Sequence, residues 1–218
     1  MEVGLTPRAE FKDHQGGIKE IRVHPKGKFF FARSDEMLIL YDLSGDRKLR
    51  GYYNSAGYEA AMFDPGGSSL VYMSDDKLHY WDLEKWHELM SIPGELHEFR
   101  DGDAHAGIGL KADGTNDGTI EFRKLEADET DPPDFVLGSH DNYIEYVCFH
   151  PSGKILASGS ADMTLRFWDV IGKKPISTHK VHSDFVTAIA FSPDGKTVIT
   201  GDYSGMLKIW NLEIKDGE

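Results

Sequence analysis

Apolar residues along this chain recur at every second position within short runs, which is the period of a strand and not of a helix. In 164–170, Leu165, Phe167 and Asp169 point one way while Thr164, Arg166, Trp168 and Val170 point the other. In 186–191, Val186, Ala188 and Ala190 alternate with Thr187, Ile189 and Phe191. Both sets are largely apolar, as a strand requires when its sheet lies between two others. No long segment carries a helical stripe, so the pattern predicts an all-β chain. Pro-x-Gly turns (Pro25–Gly27, Pro151–Gly153, Pro193–Gly195) part a first strand from a second. Tight turns at Ser34-Asp35 and Ala161-Asp162 part the second from a third.

These strand groups repeat. Residues 140–170 and 182–212 each begin with a His, carry a Pro eleven residues later and a Gly two beyond it, and reach a Trp 17 residues after the Pro. The unit recurs in weaker form at 14–43, at 57–83 and around 95–125. The position of the closing aromatic is held by Tyr41, Trp81, Arg123, Trp168 and Trp210, at steps of 40, 42, 45 and 42. A fixed period of this length predicts an array of one supersecondary unit, used five times.

The units resemble the WD40 repeat, which His140, Ser158, Asp162 and the Trp168-Asp169 pair match in full. The resemblance implies a β-propeller in which each repeat is one four-stranded blade. The blades would cover about 14–53, 54–93, 94–138, 139–180 and 181–218, with strand 5–11 completing the last. It also implies a hydrogen-bond relay within each blade, from the His through a strand Ser or Thr and a turn Asp to the Trp indole. Unit five has His182, Thr200 and Trp210 but Ser204 in the Asp place. Unit one has His14 and Asp35, with Phe31 and Tyr41 in the other two places. Unit two has Asp75 and Trp81, with Asn54 and Val71, and unit three keeps only Asp117. WD40 rings usually have seven blades. The expectation here is a closed ring of five, the alternative being an open ring with a free sheet edge that seeks a partner.

Composition narrows the function. A formal net charge of −13, from 24 basic and 37 acidic residues, disfavours nucleic acid and suits a basic protein or peptide partner. The single cysteine, Cys148, lies in an apolar strand and reads as a small buried hydrophobe; it fits a reducing, intracellular and cytoplasmic setting, the nucleus included. No apolar stretch suggests a membrane span or signal peptide. Asp113–Gly118 begins like a calcium loop but has Lys124 where a bidentate Glu is needed. His97 and His105 lack further spaced ligands for zinc. No metal, no cofactor and no catalytic cluster is expected, so the chain reads as a non-enzyme.

In propellers of this type partners dock on the top face, beside the central channel. Transferred by register, the contact positions are Gly17, Lys19 and Ser34 in unit one, and Gly57, Glu59 and Ser74 in unit two. Units four and five supply Tyr143, Glu145 and Ala161, and Phe185, Thr187 and Tyr203. The expected function is a protein-interaction scaffold anchored by Tyr143, Phe185 and Tyr203, with Lys19, Glu59, Glu145 and Thr187 around them. The alternative is a subunit of a larger assembly that uses open blade edges. A propeller hydrolase or lyase is the remote third.

Overall fold

Alternating β-branched, aromatic and aliphatic residues, punctuated by glycine turns, fold as a succession of antiparallel hairpins. The computed structural model describes residues 1–55, 57–93, 102–128 and 130–215, the side chains of 102 and 103 excepted. Strand β1 (Glu2–Phe11) precedes the first blade, β2 (Glu20–Val23), β3 (Phe29–Arg33), β4 (Met37–Asp42) and β5 (Arg47–Tyr53). Blade two is β6 (Ala60–Phe63), β7 (Ser69–Ser74), β8 (Lys77–Asp82) and β9 (His87–Pro93). Blade three is β10 (Gly102–His105), β11 (Leu110–Gly114), β12 (Thr119–Lys124) and β13 (Phe135–Ser139). Blade four is β14 (Ile144–Phe149), β15 (Ile155–Ser160), β16 (Thr164–Asp169) and β17 (Lys174–Lys180). Blade five takes β18 (Val186–Phe191), β19 (Thr197–Asp202) and β20 (Leu207–Lys215) from the C-terminal end and β1 from the N-terminal end. The chain is all-β, with five four-stranded antiparallel sheets and, among the described residues, no helix. No described helix is therefore long and apolar enough to cross a membrane.

The fifth sheet joins the two ends of the chain. β1 runs antiparallel to β20, with Leu5 opposite Leu212 and Phe11 opposite Leu207. The register shifts between Pro7 and Ala9, on an edge strand where the missing proline N–H costs no ladder bond.

Packing between blades follows the alternation of each strand. One apolar cluster joins blade five to blade one through Ile199, Leu207 and Ile209 on one side and Phe30, Ile39 and Tyr41 on the other. Phe31, Leu38 and Leu40 join blade one to Phe63 and Leu70 of blade two. Ile120 and Phe122 join blade three to Val147, Leu156 and Trp168 of blade four, and Phe167 joins blade four to Val186 and Val198 of blade five. Trp168 lies so close over β13 that a Cβ on Gly138 would meet its ring at 2.4 Å; only glycine fits there.

Among the described residues, no such cluster joins blades two and three. The face of blade two turned away from blade one carries Met62 opposite Val71, Tyr80 opposite Met90, and Leu78 opposite Ile92. Met62, Met90 and Ile92 are exposed, as is Leu89 beside them. Blade three answers with charge: Arg123 stands where other blades put an aromatic, and bridges Glu121 and Asp113. An apolar face and an ionic face gain nothing by mutual burial. Among the described residues, apolar packing thus runs from blade three through blades four, five and one to blade two, with β1 and β20 joining the chain ends in blade five.

Candidate partner-binding face

The top of the ring is formed by the starts of the inner strands and the turns between second and third strands. Here Tyr143, Phe185 and Tyr203 lie in a row. The Tyr143 and Phe185 rings are 6.1 Å apart and nearly perpendicular, and Phe185 and Tyr203 are 6.2 Å apart with a tilt of 43°. Backbone bonds fix the row: Tyr203 N donates to Phe185 O at 3.0 Å, and Ala161 N to Tyr143 O at 3.1 Å. Asp184 Oδ1 accepts from Phe185 N at 2.8 Å and sets the Phe185 loop. Tyr203 is 64% exposed, the most open ring of the three, and a Cβ on Gly17 would come within 3.2 Å of it. Partial burial, then the charge and hydrogen bond of Glu145, push the Tyr143 phenol up in pKa.

The other positions of this face have different surroundings. Lys19 pairs with Asp35, both exposed. Thr187 Oγ1 donates to Ile18 O at 2.6 Å and so ties blade five to blade one. Glu59 is exposed on blade two, while Ser34, Ser74 and Ala161 are buried. Gly57 lies against the Asp35 carbonyl.

Beneath this face, blades four and five hold buried polar chains. In blade four Trp168 Nε1 donates to Ser158 Oγ at 2.8 Å, Ser158 Oγ lies 2.7 Å from His140 Nε2, and His140 Nδ1 lies 2.8 Å from Asp162 Oδ2. A carboxylate only accepts, so Nδ1 carries the imidazole proton, Nε2 accepts from the hydroxyl, and the hydroxyl oxygen accepts from the indole. Every buried group is satisfied with a neutral His140. Burial accordingly lowers the His140 pKa against the opposing pull of Asp162. Burial alone would raise Asp162, but bonds from Thr164 and His140 hold it down to about 2. Blade five repeats the chain with Trp210 Nε1 to Thr200 Oγ1 at 3.0 Å and Thr200 Oγ1 to His182 Nε2 at 2.7 Å.

Comparison with known proteins agrees with these two blades first. The family described as "WD domain, G-beta repeat" matches residues 132–169 and 173–211. Those two segments are WD40 repeats. The chain is similar to the zinc finger CCCH domain-containing protein 59 of Arabidopsis thaliana, at 26% identity over 77% of this chain and 35% of that protein. It is similar to the nuclear distribution protein PAC1 of Ajellomyces capsulatus, at 26% identity over 72% of this chain and 30% of that protein. A probable cytosolic iron-sulfur protein assembly protein 1 of Sclerotinia sclerotiorum is 40% identical over 37% of this chain and 17% of its own length. The chain spans about a third of the first two relatives' length.

Against the WD40 pattern, the remaining blades depart in ways that correct the sequence reading. In unit five the acid is Asp202 and not the residue at Ser204: Asp202 Oδ2 lies 2.9 Å from His182 Nδ1. Ser204 instead donates to Asp202 Oδ1 at 2.7 Å. In unit one Asp35 is not part of the relay. Its turn closes from Ser34 N to Met37 O, one residue shorter than the closure from Asp202 N to Met206 O, which turns Asp35 outward to Lys19. His14 Nδ1 meets Ser34 Oγ instead, at 3.1 Å. The strand place belongs to Ala32, paired with Ile39, and not to Phe31, so His14 Nε2 is buried without a partner. In unit two the place belongs to Tyr72 and not Val71: Trp81 Nε1 donates to the Tyr72 hydroxyl at 3.2 Å. Asn54 reaches Asp75 at 3.4 Å. In unit three the indole–hydroxyl bond is replaced by Arg123 and Asp113, and Asp117 turns its carboxylate onto Thr115 and Thr119.

A second set of histidines was missed. His24 Nε2 donates to Gly67 O at 2.7 Å, His105 Nε2 to Pro151 O at 3.1 Å, and His150 Nε2 to Gly195 O at 3.0 Å. Each ring crosses from one blade to the next at the end opposite Tyr203, from blades one, three and four. The signal was the His-Pro dipeptide at 24–25 and 150–151. Blade two has Asp64 in this place, whose carboxylate is consumed by its own turn.

Among the described residues no three His, Cys, Asp or Glu side chains converge as a metal site would. His97 lies outside the described residues. Cys148 is half-buried and packs with the cluster between blades four and five.

Proposed function

We propose that this chain is a protein-interaction scaffold whose top face docks a peptide or loop of a basic partner beside the channel. The observation that carries the reading is the row Tyr143, Phe185 and Tyr203, contiguous across two blades and open at Tyr203. Rigid aromatic side chains are the commonest anchors of protein interfaces. The acidic balance of the chain favours encounter with a basic surface over nucleic acid. The reading is non-enzymatic: at this face Glu145 is engaged by the Tyr143 phenol and Lys19 by Asp35, and neither is paired with a nucleophile there. Similarity to a nuclear distribution protein and to a probable cytosolic iron-sulfur protein assembly protein supports an intracellular setting. The test is capture of partners from extract by the wild type and by Tyr143→Ala, Phe185→Ala and Tyr203→Ala, with circular dichroism melts alongside. A partner lost on Tyr203→Ala from a protein that melts unchanged supports the reading; one retained by all three variants sinks it.

A second reading, assembly through the side of blade two, is favoured by the exposure of Met62, Leu89, Met90 and Ile92. Its simplest form is two copies meeting face to face, apolar on apolar. Light scattering over a hundredfold concentration range would then show mass rising towards two chains, and Met90→Glu would hold it at one. Constant mass for the wild type excludes this form.

A further inference from the structure

The same three rings carry a more specific inference, which rests on the top-face reading: we propose that Tyr143, Phe185 and Tyr203 form a seat for an arginine side chain of the partner. An aromatic face is electronegative, and a guanidinium laid on it is attracted through the ring quadrupole and by planar stacking. The chain satisfies this attraction itself elsewhere. Lys173 lies 4.1 Å over the Phe135 ring, Arg50 5.4 Å over Trp86, and Lys208 5.8 Å over Trp210. Among the described residues, no Lys or Arg lies over the three top-face rings. The two nearby lysines are committed elsewhere, Lys12 to Ser204 O and Oγ at 2.5 and 2.8 Å, and Lys19 to Asp35.

Carboxylates surround the row instead. Glu145 adjoins the Tyr143 phenol, Asp184 sits beside Phe185, and the Asp141 side chain is 91% exposed two residues before Tyr143. Arg166 pairs with Asp141 at 3.6 Å and with Asp162 at 3.4 Å, and so is held by these two carboxylates. Rings without a cation, rimmed by acids, complement one side-chain class: a cation with a flat, weakly hydrated head. Lysine has the charge but not the plane, so arginine should be preferred.

The experiment is an amide-shift titration of labelled protein with the capped peptide Gly-Arg-Gly-Arg-Gly and its lysine and norleucine counterparts. The arginine peptide should shift the amides of Phe185 and Tyr203 and bind more tightly than the other two. Tyr203→Phe should bind as the wild type does, while Tyr203→Leu, which keeps apolar bulk without a π face, should lose about fivefold in affinity. Glu145→Gln should weaken binding less than Tyr203→Leu. Norleucine binding as well as arginine would overturn the seat but leave an apolar docking face intact. Unchanged affinity in Tyr203→Leu, or shifts confined to other acidic surface, would overturn the seat as well. Loss of partner capture in Tyr203→Ala remains the separate test of the face itself.

Discussion

Arg123 Nη1 lies 3.5 Å from Asp113 Oδ2, in the register where blade four sets the Trp168 indole against Ser158. One substitution pattern thus changes both the inside of blade three and what it offers its neighbour. A Trp would pack on the blade before it, as Trp168 does on Gly138; an arginine held by Asp113, Glu121 and the Asp131 carbonyl does not. Arg123→Leu should therefore destabilise by about 1–2 kcal/mol, since it leaves two partly exposed carboxylates facing each other without the cation. Urea unfolding checks this, and the double change Arg123→Trp with Asp113→Ser should recover the loss.

The relay predictions separate Asp202 from Ser204. Asp202 is 1% exposed and holds the His182 ring, the Ser204 hydroxyl and two turn amides. Asp202→Ala should cost about 2–3 kcal/mol, because a buried His182 N–H loses its acceptor. Ser204→Ala removes one hydroxyl at a partly exposed turn and should cost under about 1 kcal/mol. Equal effects of the two in chemical denaturation would refute the assignment of Asp202.

Much of this was legible from alternation and period. The strands and the five units follow from side-chain period and turn chemistry, which act locally; the pairing of the two chain ends, a contact between opposite ends of the sequence, was implied by the WD40 resemblance alone. The identity of relay members in the weaker units was not. A turn shortened by one residue at Ser34–Met37 moves Asp35 out to solvent, and a one-residue shift in reading β3 or β7 exchanges Phe31 for Ala32 and Val71 for Tyr72. Such slips swap the two faces of a strand and cannot be seen where both faces are apolar. The open side of blade two was equally hidden, since Met62 and Met90 look like core until the neighbour's face is known to be charged.

The inter-blade histidines predict a graded loss of cohesion. His150 Nε2 bonds the Gly195 carbonyl, and its ring fills the space where a Gly195 Cβ would come within 2.2 Å. His150→Ala should lose both the bond and the packing, for about 2–3 kcal/mol. His105→Ala, whose bond to Pro151 O is exposed, should cost less. Hydrogen exchange would report the difference: amides of β14 and β18 should open sooner in the His150 variant, and unchanged exchange there would refute the role of the ring.

His14 makes the strongest case for acid sensitivity. Its Nε2 is buried without a partner because Ala32 replaces the relay hydroxyl, and burial, against the pull of Asp13, lowers its pKa from 6.5 to about 4. The neutral ring is the form the fold accepts, so the unfolded chain binds the extra proton. Stability therefore rises with pH across the window: the contribution is complete above 6.5, and is lost as pH falls from 6.5 towards 4, by about 3 kcal/mol for this group. His140 and His150 are lowered in the same direction by burial and steepen the slope. Unfolding midpoints measured from pH 7.5 to 4.5 should fall steadily, and His14→Gln should flatten part of that fall. Ala32→Ser should offer His14 Nε2 the missing hydroxyl and raise stability at pH 7.5 by about 1 kcal/mol. A wild type whose midpoint does not change between pH 7.5 and 4.5 would contradict a buried, neutral His14.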